Sequence, residues 1–413
     1  MKRKINIAQF LLLIFAGTLL FSGCKSNLSE PDTTVKDQYL VSYTFVRSMT
    51  ATDVTNLFSP AQSIYPDVAG ILPSVKTGAK VYSVTYNTAL GTKKLVASGL
   101  VCIPDGGGTY SILSFQNGTN TVNTNAPSLS ANSYTNQLIT GFAATGFVTV
   151  LPDYLGFGSS TEVFHPYLNL EGTVNPILDL FRAVKEMTAK TDLKFSISKD
   201  LYIMGYSQGG LSTLQLHKTI ETSFSTEFNL KGVGCGAGPY NLSRLTQIVT
   251  SASTFPQPYY IAYIMKGFKS VASFTNPYSD IFNEPYASRI DGLFNGTNSG
   301  AAINNQLTTT VADLFTTEFR TTFSTNAKFK GLSDALIANS VAAWRIKTPL
   351  ILTHGLVDTD VSPLMTQQLY TDLIAIDPAL PVTYFPMAGF DHGTASAPSL
   401  VKFVKQFLVI RGN

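Results

Sequence analysis

The chain carries little charge. Only 13% of its 413 residues are Asp, Glu, Lys or Arg, 29 basic against 26 acidic, and no basic patch stands out, which argues against nucleic acid as a partner. Cysteine is scarcer, with three residues, too few for a disulfide framework. Cys102 and Cys235 both fall on strand-like stretches, where they either pair in an oxidising compartment or stay as small buried hydrophobes. No cluster of His, Cys and acids has metal-ligand spacing, and no cofactor motif is present, so neither a metal nor a cofactor is expected. After the first twenty or so residues no second long apolar run follows, so the body is expected to be soluble. Internal repeats are absent, and Gly106-Gly107-Gly108 reads as a surface turn. What is plentiful is apolar and aromatic side chain, 44% and 11%, enough to fill a large core and line an apolar pocket.

The N-terminus reads as an export signal. Met1-Lys2-Arg3-Lys4 is a positive segment, Ile5 to Leu20 is largely apolar, and Ser22-Gly23-Cys24 closes it with small residues before a cysteine. Cleavage before Cys24 would place a diacylglyceryl thioether on the new N-terminus, and two or more acyl chains anchor stably where one does not. The expected partition is residues 1–23 as lipoprotein signal peptide, 24–36 as a polar tether and 37–413 as the folded domain, exported and lipid-anchored in the bacterial cell envelope. Phe21 is larger than the residue usual three places before such a cysteine. The signal holds three basic and no acidic side chains, so the remainder is formally neutral.

The most informative motif is Gly205-Tyr206-Ser207-Gln208-Gly209. It follows the apolar run Leu201-Tyr202-Ile203-Met204 and precedes a helical pattern of Leu211, Leu214, Leu216 and Ile220. A serine on a sharp strand-to-helix turn is lifted clear of the backbone as a nucleophile, and the residue behind it offers an amide to an oxyanion. Gly205 and Gly209 stand where strand and helix approach closely.

A serine hydroxyl is a weak nucleophile at neutral pH and needs a base, which in turn needs an orienting acid. The run Thr348 to Gly355 reads as a strand ending in a Gly-bearing loop that presents Asp358, with Asp360 as the nearby rival. Val382 to Pro386 is a further short strand, and the loop Gly389-Phe390-Asp391-His392-Gly393 carries His392 ahead of a C-terminal helix. Among the four histidines, His217 falls within the helix after the serine, His354 sits at a strand end where it orders the loop, and His165 lies in Phe164-His165-Pro166-Tyr167 near a pocket mouth. The expected catalytic set is Ser207, His392 and Asp358. The oxyanion is expected to take the Gln208 amide and a second donor from the loop after the strand Tyr110 to Phe115, where Asn117, Gly118 or Thr119 could supply an amide and Asn117 a side-chain donor.

Taken with the hairpin-like segments Val81–Tyr86 and Leu95–Pro104 and the segment Pro152-Asp153-Tyr154-Leu155-Gly156-Phe157-Gly158, this chain resembles the secretory lipase family of α/β-hydrolases over about residues 75 to 411. Many α/β-hydrolases carry His-Gly in the oxyanion loop, where this chain has Asn117-Gly118. The resemblance implies an α/β fold, a mostly parallel sheet flanked by helices, and hydrolysis of small-molecule or lipid-like carboxylic esters. Strand and helix alternation stops between Tyr240 and Trp344, and this Phe-, Tyr-, Thr- and Asn-rich stretch, about residues 241–344, reads as a helical cap or lid with amphipathic pieces at Tyr260–Phe268 and Val311–Phe319. Asp153 and Tyr154 either shape the pocket floor, brace the oxyanion loop or merely turn the chain. Two other functions share the pattern: a serine peptidase of the prolyl-oligopeptidase kind, and a non-catalytic surface binding protein on the same scaffold.

Overall fold

The computed structural model describes residues 37–412. The signal and tether read over residues 1–36, with Cys24, lie outside the described residues.

A nine-stranded sheet organises the domain, with strands β1 (Leu40–Met49), β2 (Ala79–Leu90), β3 (Lys93–Pro104), β4 (Thr109–Gln116), β5 (Phe147–Pro152), β6 (Ser196–Tyr206), β7 (Asn229–Gly236), β8 (Leu350–Gly355) and β9 (Val382–Met387). Their spatial order is β1-β2-β3-β5-β4-β6-β7-β8-β9. The first three strands and β5 pair antiparallel, whereas β5, β4, β6, β7, β8 and β9 run parallel. β5 and β8 are buried along their whole length, as expected where helices cover both faces of a parallel sheet. This is the mostly parallel α/β architecture read from the sequence.

Two apolar cores lie against the sheet. One gathers around helix α1 (Leu170–Met187), helix α2 (Gln208–Thr219) and the segment between β7 and β8; the other gathers around Val54, Phe58 and Phe142 and the C-terminal helix α3 (Ser396–Arg411). The sheet begins at Leu40, well before Val81. β1 is an edge strand on which only Leu40 and Met49 are buried, and two register shifts, at Leu40/Ser42 and Phe45/Arg47, interrupt its alternation.

Between β7 and β8 the chain is helical, from helix α4 (Leu242–Ser251) and helix α5 (Pro258–Ser270) to helix α6 (Lys330–Asn339). The Tyr260–Phe268 piece falls within α5. The Val311–Phe319 piece is not one helix: Phe315 is extended and bridges to Phe282, and Thr316 caps a new turn by accepting a hydrogen bond from the Phe319 amide at 3.2 Å. A threonine there competes with the helix for its own backbone, so the apolar spacing persists while the helix breaks. The two ends of the insertion meet, with the Val341 N–H donating to Tyr240 O at 2.9 Å and the Leu242 N–H to Ser340 Oγ at 2.8 Å. Glu221, just past α2, receives Trp344 Nε1–H at 2.9 Å and the Lys347 and Thr348 amides at 3.0 and 2.8 Å, which fixes the return into β8. Among the described residues no helix is long and apolar enough to cross a membrane. Cys102 and Cys235 are free and buried, and burial pushes both thiols up.

Candidate active site

Ser207 joins β6 to α2 with φ 59° and ψ −122°, a conformation L-residues rarely hold. Its surroundings enforce it. The Ser207 N–H donates to Gly236 O at 2.9 Å, and the crossing of strand and helix is so close that a Cβ on Gly209 would stand 1.8 Å from Gln116 O, and one on Gly205 2.2 Å from Gly209 O. The Gln208 amide opens α2 and so has no intrahelical acceptor.

Asp358 and His392 are brought to the same point from the loops after β8 and β9. His392 Nδ1 lies 2.6 Å from Asp358 Oδ2, and His392 Nε2 lies 2.8 Å from Ser207 Oγ. A carboxylate only accepts, so Nδ1 carries the proton and Nε2 presents its lone pair to the serine hydroxyl. Asp358 Oδ1 is taken by the Asp360 and Val361 amides, both at 2.9 Å. Burial by itself would raise the Asp358 carboxyl, but hydrogen bonds from His354 and His392, the charge of His392 and the Val361 amide outweigh it and hold the group down at about 2. The loop carrying His392 is tied down by Tyr206, whose hydroxyl donates to His392 O at 2.8 Å with the two rings 5.3 Å apart.

The rival acid faces elsewhere. Asp360 accepts Gln257 Nε2–H at 3.2 Å, a contact with the start of α5, and burial raises its carboxyl against the pull of His392 and that hydrogen bond. His354 is fully buried; its Nε2–H reaches Val361 O at 2.8 Å and stands 3.2 Å from Asp358 Oδ2, while Nδ1 accepts from Thr366 Oγ1 at 2.6 Å. It orders the loop, and it also touches the acid. His217 is buried in α2, 3.0 Å from Glu221, and burial lowers its imidazole.

Gly118 stands opposite the elbow: a Cβ there would lie 3.8 Å from Ser207 Cβ. The Asn117 side chain is turned back on its own backbone, Nδ2 donating to Gly118 O at 3.2 Å, so the side-chain donor considered for Asn117 is already engaged. Thr119 Oγ1 pairs with Tyr167 Oη at 2.7 Å. Tyr154, at φ 67°, donates its hydroxyl to Asn117 O at 3.1 Å and so ties the segment after β5 to the loop after β4. Asp153 is buried, with Ser98 Oγ–H and the Ser128 amide donating to it at 2.6 and 2.8 Å; burial raises its carboxyl despite these bonds. His165 is one of the residues lining a cleft of about 520 Å³, with Phe157, Phe164, Tyr263 and Phe294, but it is only 4% exposed and is bonded on both nitrogens; Ser207 is not among the cleft's walls.

Tyr206, Gln257 and Tyr154 acquire their contacts from partners 37 to 186 positions away, and no spacing in the sequence announces them.

Among solved structures, the fold is similar to a Legionella pneumophila protein assigned to the hydrolases (23% identity, TM-score 0.76, covering 90% of this chain and 97% of that one) and to the rice cell wall degrading esterase LipA of Xanthomonas oryzae (23%, 0.74, 91% and 98%). It is also similar to lipase A of Candida antarctica in its closed state (16%, 0.63, 90% and 83%). No curated protein sequence matches. The secretory lipase family model matches residues 123–387, a span that runs from the loop after β4 through the serine elbow and Asp358 to the end of β9, and the chain belongs to the secretory lipase family.

Proposed function

We propose that the protein is a serine carboxylic-ester hydrolase working through an acyl-enzyme on Ser207. The observation that carries this reading is the unbroken line Ser207 Oγ, His392, Asp358, at 2.8 and 2.6 Å. In acylation Ser207 Oγ attacks the ester carbonyl carbon while His392 Nε2 takes the hydroxyl proton, and the Asp358 carboxylate holds the ring in the Nδ1–H form and stabilises the imidazolium. The tetrahedral oxyanion takes the Gln208 amide and an amide of the Asn117-Gly118 segment. Collapse breaks the ester C–O bond, and His392 returns its proton to the departing alcohol. Water, deprotonated by the same nitrogen, then attacks the acyl carbon, the bond to Ser207 Oγ breaks, and His392 returns the proton to Oγ as the acid leaves. Two aimed donors matter because losing one typically costs about 3 kcal/mol of transition-state stabilisation.

The insertion between β7 and β8 acts as a cap that excludes water and shapes the acyl site. Tyr263 and Phe294 of the insertion stack in one column with Tyr167 of the loop before α1, with centroids 4.2 and 4.7 Å apart, which pins the insertion to the rest of the domain, and its aromatic-rich composition suits medium acyl chains or aromatic acids. Export and anchoring through Cys24 rest on the sequence of residues 1–24. The test is hydrolysis of p-nitrophenyl esters from acetate to palmitate, wild type beside Ser207→Ala. Serine-dependent turnover with a chain-length optimum is expected. Failure on every ester while a fluorophosphonate still labels Ser207 transfers the reading to peptide bonds, and failure of both refutes a serine hydrolase.

A further inference from the structure

The segment Pro152 to Gly158 and the buried His165 meet behind the elbow. His165 Nδ1 lies 2.8 Å from Leu155 O, and its Nε2 lies 2.9 Å from Gln208 Nε2. A carbonyl oxygen only accepts, so Nδ1 carries the proton and Nε2 must accept from the Gln208 side-chain amide; the ring is neutral. Its surroundings agree, since burial pushes the imidazole down to about 4. The same ring stacks on Tyr154 at 5.6 Å, whose hydroxyl holds Asn117 O at 3.1 Å. Backbone geometry keeps these groups in register: Tyr154 sits at φ 67° and Gly156 at φ 88°, and a Cβ on Gly156 would stand 2.4 Å from the backbone nitrogen of His165. Gln208 itself is 1% exposed, so its side chain is held in one place and with it the first residue of α2.

We propose that His165 is a positioning residue that clamps both sides of the oxyanion site, Gln208 through a direct hydrogen bond and the Asn117-Gly118 segment through Tyr154. Resting on the ester-hydrolase reading above, it adds a reason for the Pro-Asp-Tyr-x-Gly-x-Gly segment: that segment supplies the carbonyl fixing the His165 tautomer and the phenol bracing the opposite donor. In this role His165 acts through Gln208 and Tyr154 and not on the substrate. Its effect is felt where charge develops, because a donor displaced by a fraction of an ångström binds a neutral ester nearly as well but an oxyanion much less.

The test separates the two nitrogens of the ring. His165→Asn keeps a donor near the Nδ1 position for Leu155 O and loses the acceptor for Gln208; His165→Gln places an acceptor near the Nε2 position. With an ester that the wild type turns over in a Ser207-dependent manner, His165→Asn is expected to lower kcat about 10- to 100-fold with KM changed less than about threefold. It should weaken a boronic acid transition-state analogue by the same factor as kcat/KM. His165→Gln should recover most of the loss. In a Gln208→Met background, His165→Asn should cost little further, since the contact is already gone. Equal kcat for the Asn and Gln variants, a loss confined to KM, or full additivity with Gln208→Met overturns the proposal. If His165→Asn fails to fold, Gln208→Met alone reads the same contact, and unchanged kcat and boronate affinity there overturns it. Absence of wild-type ester turnover would instead sink the functional reading beneath it.

Discussion

Asp358→Asn distinguishes the proposed orienting acid from its neighbour Asp360, and its outcome follows from which oxygen faces what. Oδ1 accepts two backbone amides, from Asp360 and Val361, so an asparagine must keep its carbonyl oxygen there. Its NH2 then occupies the Oδ2 position, facing His392 Nδ1 at 2.6 Å and His354 Nε2–H at 3.2 Å. Donating to Nδ1 forces the proton of His392 onto Nε2, where it meets the Ser207 hydroxyl and can no longer accept its proton. The lost base and orientation amount to about 10⁴-fold in kcat, roughly 5.5 kcal/mol of barrier. Asp360→Asn keeps an oxygen for Gln257 and leaves the tautomer alone, so kcat should stay within about threefold. The assay is steady-state hydrolysis of one activated ester, with thermal unfolding to show that both variants fold. Retention of more than about a tenth of the wild-type kcat by Asp358→Asn, or a comparable collapse in Asp360→Asn, would refute the tautomer argument.

Further outcomes follow from contacts already described. Both Ser207→Ala and Ser207→Gly should abolish turnover, but glycine relieves φ 59°, ψ −122°, so Ser207→Gly should be the more stable by about 1 kcal/mol in urea unfolding; equal midpoints would mean that the turn is unstrained. For Glu221, burial raises the carboxyl, and the His217, Trp344 and Thr348 hydrogen bonds outweigh it and bring it down to about 2. A carboxyl depressed in the folded state contributes stability above its unfolded pKa and loses it as pH falls through the folded one, here from about 4.5 to about 2. Wild type should therefore lose thermal stability over that window more steeply than Glu221→Gln, and parallel curves would contradict the assignment. Cys24→Ser should leave the ester hydrolase in the soluble fraction without incorporated palmitate; continued labelling would place the acyl chains elsewhere.

The parts of the site legible in the sequence share one property. Ser207, Asp358 and His392 each follow a strand of the parallel sheet on a loop containing glycine, so local pattern and chemical order both point at them. What escaped was built from long-range pairing. Gln257 meets Asp360 across 103 positions, and Tyr206 meets His392 across 186. β1 is hidden for a different reason: Val41, Tyr43 and Phe45 alternate with Ser42 and Thr44 in the sequence, but Val41 and Phe45 are exposed and the register shifts twice, so the alternation marks no buried face. Thr316 divides an apolar spacing that reads as one helix, because a side-chain cap is a local choice that periodicity ignores. His165 stands out as one of four histidines, but no spacing in the sequence sets the Gln208 side chain, 43 positions away, against its ring.

The meeting of Tyr240 with Val341 makes the insertion a cassette. A segment that leaves and re-enters at one hydrogen bond imposes almost no distance requirement on what lies between, so its closure entropy depends only weakly on its length. The loops after β4, β6, β8 and β9, which hold the proposed catalytic groups, and the inserted stretch can then diverge at separate rates. One scaffold could carry covers of different shape, and exchanging residues 241–340 between relatives is a direct route to changing which esters are accepted while Ser207, Asp358 and His392 stay where they are.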